Sequence, residues 1–249
     1  MKIEITRVGD VRRVTIANHA KLNTLNSALL EQLAATFDVE PEIRAVVLTG
    51  EGERAFIGGA DIREMGAVTT PDQGRAFIER VHGACSAIRA CRVPVIARIQ
   101  GWCLGAGLEI AAACDLRIAA QAAKFGMPEV RVGIPSVVEA ALLPGLIGWG
   151  RTRRLLLLAE TLDAATMESW GFLERVVPLH MLDGAVAEWL ALLGEAGPMA
   201  IANQKALIRA WEDLPLSQAI AAGIPAFAKS WETNEPRSMM AHFLNRVRP

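Results

Sequence analysis

The chain has little that would tie it to disulfides, metals, membranes or nucleic acid. Only four cysteines occur in 249 residues, Cys85, Cys91, Cys103 and Cys114, and none stands in a C-x-x-C or zinc-ligand spacing. That usage best fits a reducing compartment, so a cytoplasmic location is expected. The opening Met-Lys-Ile-Glu-Ile lacks the apolar core of a signal peptide. No uncharged apolar run reaches bilayer-spanning length, since even the leucine run after Arg154 is cut short at Glu160, and no membrane partner is expected. The four histidines, His19, His82, His180 and His242, lie far apart without a ligand spacing, so no metal is expected. A formal charge of -1 gives no electrostatic reason to propose nucleic acid. Gly105-Ala-Gly107 has no properly spaced third glycine, and neither a Walker A nor a G-x-S-x-G segment occurs. Nucleotide hydride transfer and serine esterase chemistry therefore lose support. Solenoid-length repeats, low-complexity tracts and Gly/Ser linkers are absent as well.

What is present is a chain of 52% hydrophobic residues, enough for a sizeable core. Lys2 to Arg7 and Val11 to Ala17 alternate apolar with polar around Gly9-Asp10, which predicts a hairpin. Leu25, Leu29, Leu30, Leu33 and Phe37 recur at helical spacing behind the capping candidates Asn23 and Asn26. Ala45 to Gly50 reads as a strand buried on both faces. Thr70-Pro-Asp-Gln73 carries an N-cap hydroxyl, proline at the first helical position and glutamine at the third, predicting a helix from Pro71 to about Ala90. Val93 to Ile99 returns as a strand, Val137 to Leu146 and Arg151 to Leu158 read as helices, Asp163 opens a short helix, and Phe172 to Val177 reads as a strand. Strands alternating with helices give an α/β fold. From about Met181 strand signals stop, and helical segments separated by Pro198, Pro215, Pro225 and Pro236 run to the end.

The chemistry concentrates between Arg98 and Arg131. Gly101-Trp-Cys-Leu-Gly-Ala-Gly-Leu-Glu109 reads as a strand breaking at glycines and re-entering a helix from Leu108 to Cys114. Its small residues bring backbone N–H groups to a helix start, where negative charge is stabilised. Phe125-Gly-Met-Pro-Glu129 sets a carboxylate in an apolar run, an unusual place for a residue type rarely buried unpaired. Two glutamates beside an anion-stabilising turn point to acid–base chemistry. The plainer roles are a first-turn partner of the helix dipole for Glu109 and a loop ion pair for Glu129.

Together with Phe56-Ile-Gly-Gly-Ala-Asp-Ile-Arg-Glu-Met65, these segments resemble the enoyl-CoA hydratase/isomerase family, also called the crotonase superfamily. Order and spacing carry the resemblance, which also takes in Asn18 to Leu30, Leu162 to Ala165, Gly171 to Pro178 and, loosely, Thr233 to Phe243. It implies a crotonase-like spiral of ββα units over residues 1–190 and a C-terminal helical trimerisation region over 191–249. It further implies a homotrimer or dimer of trimers acting on an acyl-CoA thioester, with no cofactor beyond the coenzyme A of the substrate. By match to the family motifs, the N–H groups of Ala60 and Ala106 would form the oxyanion hole. Glu109 would activate water, and Glu129 would deliver a proton to the alpha carbon of a 2-enoyl-CoA. Substrate binding carries over to Ala20, Lys21 and Leu22 and to Asp61, Ile62 and Arg63. Isomerase, decarboxylase or hydrolase chemistry on the same scaffold, or a non-catalytic acyl-CoA- or RNA-binding member, are the alternatives. Trp102 reads as a buried packing indole.

The chain departs from the family after Glu129. Gly133-Ile-Pro-Ser-Val-Val-Glu139 stands where hydratases continue into a Gly-Gly-Thr-type helix start. Ser136 and Glu139 have capping-box spacing, so Ser136 is expected to cap the helix with Glu139 reaching back; a third carboxylate facing the acyl group is the alternative.

Overall fold

The computed structural model of the chain describes residues 1–246. Its opening strands β1 (Lys2–Val8) and β2 (Val11–Ala17) pair antiparallel about Gly9-Asp10. Helix α1 (Ser27–Ala35) begins where the Asn26 side chain accepts the Leu29 N–H at 3.0 Å, the N-cap the sequence offers. From there one unit recurs: a strand in a large sheet, a short strand in a small sheet, and a helical return. The first comprises β3 (Ala45–Gly50), β4 (Ala55–Ile57), α2 (Ile62–Gly66) and α3 (Pro71–Ala90). The second comprises β5 (Val95–Ile99), β6 (Trp102–Leu104) and α4 (Ala106–Ala113). The third comprises β7 (Leu116–Ala120), β8 (Lys124–Gly126), α5 (Leu143–Ile147) and α6 (Trp149–Leu158). Strands β9 (Leu162–Asp163) and β10 (Arg175–Val177) flank α7 (Ala164–Trp170), which Asp163 caps through the Thr166 N–H. The large sheet runs β1-β2-β3-β5-β7-β10 and the small one β4-β6-β8-β9. This is an α/β crotonase-like spiral of ββα units.

Alternation explains why β3 reads as an unbroken apolar run. Val46 and Leu48 point into the main core with Val95, Ala97 and Ile99, beneath α1 and α3. Val47 and Ile96 point the other way, to a smaller core closed by Leu182, Ala185 and Val186 of α8 (Leu182–Glu195). A parallel sheet covered on both faces leaves no polar side for its central strands. Each such Val or Leu contributes about 1.5–3 kcal/mol by burial. Helices α9 (Pro198–Asp213), α10 (Leu216–Ser230) and α11 (Glu235–Arg246) complete the chain. Lys205 on α9 binds Asp115 Oδ2 at 2.7 Å and the Val93 carbonyl at 2.9 Å, fastening α9 to the edge of the sheet region. Among the described residues no single helix is long and apolar enough to cross a membrane. The segments Leu179–Glu195 and Pro198–Asp213 reach that length and composition only together, across a bend of 107°.

The structure differs from the sequence reading at element ends. Gly101 to Leu104 is a turn by its glycines, yet Trp102–Leu104 forms β6, because β4 and β8 offer parallel partners on both sides. Helix α4 begins at Ala106, two residues before the expected start, and Phe172–Val177 contributes strand only from Arg175. Val137 to Leu146 is a 3-10 turn followed by α5, broken at Val138, whose φ of 41° lies in the left-handed region a valine rarely enters. Three of the C-terminal prolines stand at helix starts, whereas Pro225 lies inside α10. Trp102 is 37% exposed, because β6 turns its side chain away from the core.

Candidate active site

Strands β4, β6 and β8 run parallel in adjacent positions, so the turns leaving their carboxyl ends lie side by side. The first turn is Gly58-Gly59-Ala60, the second Gly105-Ala106, and the third Met127-Pro128-Glu129. Gly59 has φ 110° and Gly105 φ 52°, so each alanine follows a backbone bend that a side chain would strain. The two bends also approach closely, since a Cβ built on Gly105 would lie 4.0 Å from Gly59 Cα. That same Cβ would collide with Glu129 Oε1.

The N–H of Ala60 is directed by its neighbours. Leu25 donates to the Gly59 carbonyl at 2.9 Å and accepts from Asp61 N–H at 2.7 Å, a parallel bridge that leaves the N–H of Ala60 itself facing the opposite side. Ala106 is the first residue of α4, where an N–H has no partner within its own helix. Ala60 and Ala106 both line a cavity of about 620 Å³. Its lining includes the apolar side chains of Met65, Phe77 and Ile78 as well as Lys21, Asp61 and Arg63.

Glu109 and Glu129 line the same cavity. Glu109, on the first turn of α4, is 4% exposed. Its pKa is pushed up to about 8, first by burial and then by the charge of Glu129, with Glu139 adding to the effect. The amides of Ala140 and Val137 pull the other way. Burial also raises the pKa of Glu129, opposed by its own amide and by the Ser136 hydroxyl, which donates to Oε2 at 2.8 Å. Two carboxyl groups thus share one partly dry space, both raised first by burial, and only Glu129 accepts a side-chain hydrogen bond that favours its ionised form.

The expected binding residues divide. Lys21, Asp61, Ile62 and Arg63 reach the cavity wall, and the Lys21 ammonium sits 3.4 Å from Asp61 Oδ2. Ala20 and Leu22 flank Lys21 in the turn beside the wall, and the Leu22 carbonyl accepts the Gly58 N–H at 2.8 Å. Trp102 is not among the lining residues.

The capping expectation fails. Ser136 spends its hydroxyl on Glu129, and the 3-10 turn Val138–Leu142 has no side-chain cap. Glu139 does not reach back. It turns under α3, where its Oε1 lies 2.8 Å from His82 Nδ1. It also does not line the cavity, so it does not face the acyl space. The cause is the left-handed backbone at Val138, which rotates Glu139 out of capping register. The link between Ser136 and Glu129 was hidden because its partners come from different turns, seven residues apart.

A family model described as enoyl-CoA hydratase/isomerase matches residues 6–249. The chain belongs to that family. It is 32% identical over 246 residues to the short-chain-enoyl-CoA hydratase of Clostridium acetobutylicum, covering 97% of this chain and 94% of that one. It is 35% identical over 212 residues to a mevalonyl-coenzyme A hydratase of Beauveria bassiana, covering 80% and 75%. Among solved structures it superposes on an enoyl-CoA hydratase from Bacillus anthracis with a TM-score of 0.93 and 29% identity, covering 99% and 97%.

Proposed function

We propose that this protein adds water across the 2,3 double bond of a 2-enoyl-CoA thioester. The observation that carries the reading is the convergence, in one cavity, of two turn N–H groups, the buried carboxyl of Glu109 and the half-buried carboxyl of Glu129. The thioester oxygen accepts hydrogen bonds from Ala60 and Ala106 N–H. As water adds, this oxygen takes up negative charge, and each preorganised donor is worth about 3 kcal/mol to such a state. Glu109 keeps its proton up to about pH 8 in the free protein, so it acts once that proton has been released: its carboxylate draws a proton from water as the water oxygen bonds to C3, and the electron pair of the double bond moves into the enolate. Glu129, protonated, then delivers its proton to C2, which restores the thioester and leaves a 3-hydroxyacyl-CoA. Both carboxyls approach one face of the substrate, which makes the addition syn. No cofactor enters this scheme.

The coenzyme A portion is assigned to the polar wall, with Lys21 and Arg63 toward phosphate and the turn from Ala20 to Leu22 beside the adenine. Asp61 and Ile62 complete that wall. The acyl chain is assigned to the Met65, Phe77 and Ile78 side. An exposed apolar row on α10, including Leu216, Ile220, Ile224 and Phe227, supports assembly into a homotrimer or dimer of trimers through the region 191–249, with residues 1–190 as the catalytic core. Four unpaired cysteines, all buried, support a cytoplasmic setting. The test is to offer 2-enoyl-CoAs of short, medium and branched chain and follow loss of conjugation. Isomerisation of a 3-enoyl-CoA without hydration would replace this reading with the isomerase one.

A further inference from the structure

Glu139 is a buried carboxylate that the hydration scheme does not use. It is 6% exposed, and its Oε2 has no hydrogen-bond partner among the described residues. An unpartnered carboxylate oxygen in such a place costs stability, so its retention calls for a reason. Its other oxygen meets His82 Nδ1 at 2.8 Å, and His82 stands on the solvent side of α3 with 59% of its side chain exposed. The 3-10 turn bearing Glu139 packs on α4, which carries Glu109, as well as on α3 and α5.

We propose that His82 and Glu139 form a positioning pair that acts through Glu109: Glu139 sets a negative charge behind the acid–base carboxylate, and the imidazole of His82 governs how much of it Glu109 feels. With its proton on Nδ1, His82 donates to Glu139 Oε1 and draws the carboxylate charge toward solvent. The pair also fixes the turn from Val137 to Ala140, whose amides address Glu109. The groups that face Glu139 are few. From α3 they are His82 and Cys85, whose thiol is raised well above its ordinary pKa by burial first and by Glu139 next. Glu79 and Arg80 of the same helix lie toward solvent, Arg80 engaged with Glu31 at 2.6 Å. From α4 the facing group is Glu109, behind which stands Glu129; α5 carries no titratable side chain.

The inference rests on Glu109 being the acid–base group of the proposed hydration, and the experiment separates the two claims. Carboxyl carbon chemical shifts of Glu109 are titrated in the intact protein, in wild type, Glu139→Gln, His82→Gln and the double variant, without any turnover being needed. Glu139→Gln should lower the Glu109 midpoint, because a like charge has been removed. His82→Gln, at a position whose side chain is 59% exposed, should raise it. The double variant should match Glu139→Gln alone. Where hydration is measurable, the corresponding limb of kcat/KM should move in parallel, with KM within about twofold of wild type. Melting temperatures that fall while the midpoint stays fixed in both single variants would make the pair a mere staple and overturn the proposal. An effect of His82→Gln that persists without Glu139 would overturn it as well. Movement of the Glu109 midpoint without hydration of any enoyl-CoA would sustain the coupling and reject the hydratase reading instead.

Discussion

Glu109→Gln should make the protein more stable at alkaline pH while removing its chemistry. Burial and the neighbouring carboxylates push the Glu109 pKa from the ordinary 4.5 to about 8. Between those values the folded protein holds a proton that the unfolded chain has released, so stability falls as pH rises through that window. At about 1.4 kcal/mol per pH unit, the gap between 4.5 and 8 sets a ceiling of about 5 kcal/mol on the loss. Glutamine keeps a polar head of similar shape without the ionisation, so at pH 9 the variant should gain roughly 2–5 kcal/mol over wild type. Near pH 5 the two should be within about 1 kcal/mol. The assay is urea unfolding at fixed protein concentration across pH 5–9. Parallel stability profiles for the two proteins, with no widening gap above pH 6, would refute the claim that Glu109 is held in its neutral form.

Gly105→Ala should cost turnover more than stability. Its Cβ would displace the Glu129 carboxyl and strain a bend at φ 52°, and a misplacement of about 1 Å costs on the order of a hundredfold in kcat/KM. Ser136→Ala removes a donor that favours ionised Glu129. The Glu129 pKa should rise further, read as an upward move of the limb of kcat/KM that falls as Glu129 loses its proton. Val138→Gly should leave Tm within a few degrees of wild type, because relief of about 1–2 kcal/mol of strain at φ 41° is offset by the lost packing of a side chain that touches the main core and by the backbone entropy of glycine.

The parts of this site readable beforehand are those whose residue types are forced by local geometry. Gly59 and Gly105 must be glycine to bend the chain before Ala60 and Ala106, and Pro128 precedes Glu129 in an apolar run; such positions announce themselves in a single sequence. The elements followed from periodicity where one covering face decided the pattern, as in α1 and the opening hairpin. What escaped depends on partners distant in sequence. Trp102–Leu104 became strand because two short parallel neighbours exist for it, which no local preference encodes. Ser136 and Glu139 have capping-box spacing, yet the left-handed Val138 sends one to Glu129 and the other to His82, 57 residues away. Spacing along the chain fixes a motif only when the backbone between its members is regular.

The central claim, that two carboxyl groups and two backbone donors hydrate a 2-enoyl-CoA, is tested most directly by following the conjugated thioester absorbance of a short-chain 2-enoyl-CoA. Wild type should bleach it with formation of 3-hydroxyacyl-CoA, while Glu109→Gln and Glu129→Gln should each lose on the order of a hundredfold or more in kcat, the scale of general acid–base catalysis. Unchanged absorbance with wild type, despite tight binding of acyl-CoA, would contradict the account, as would full activity in either glutamine variant.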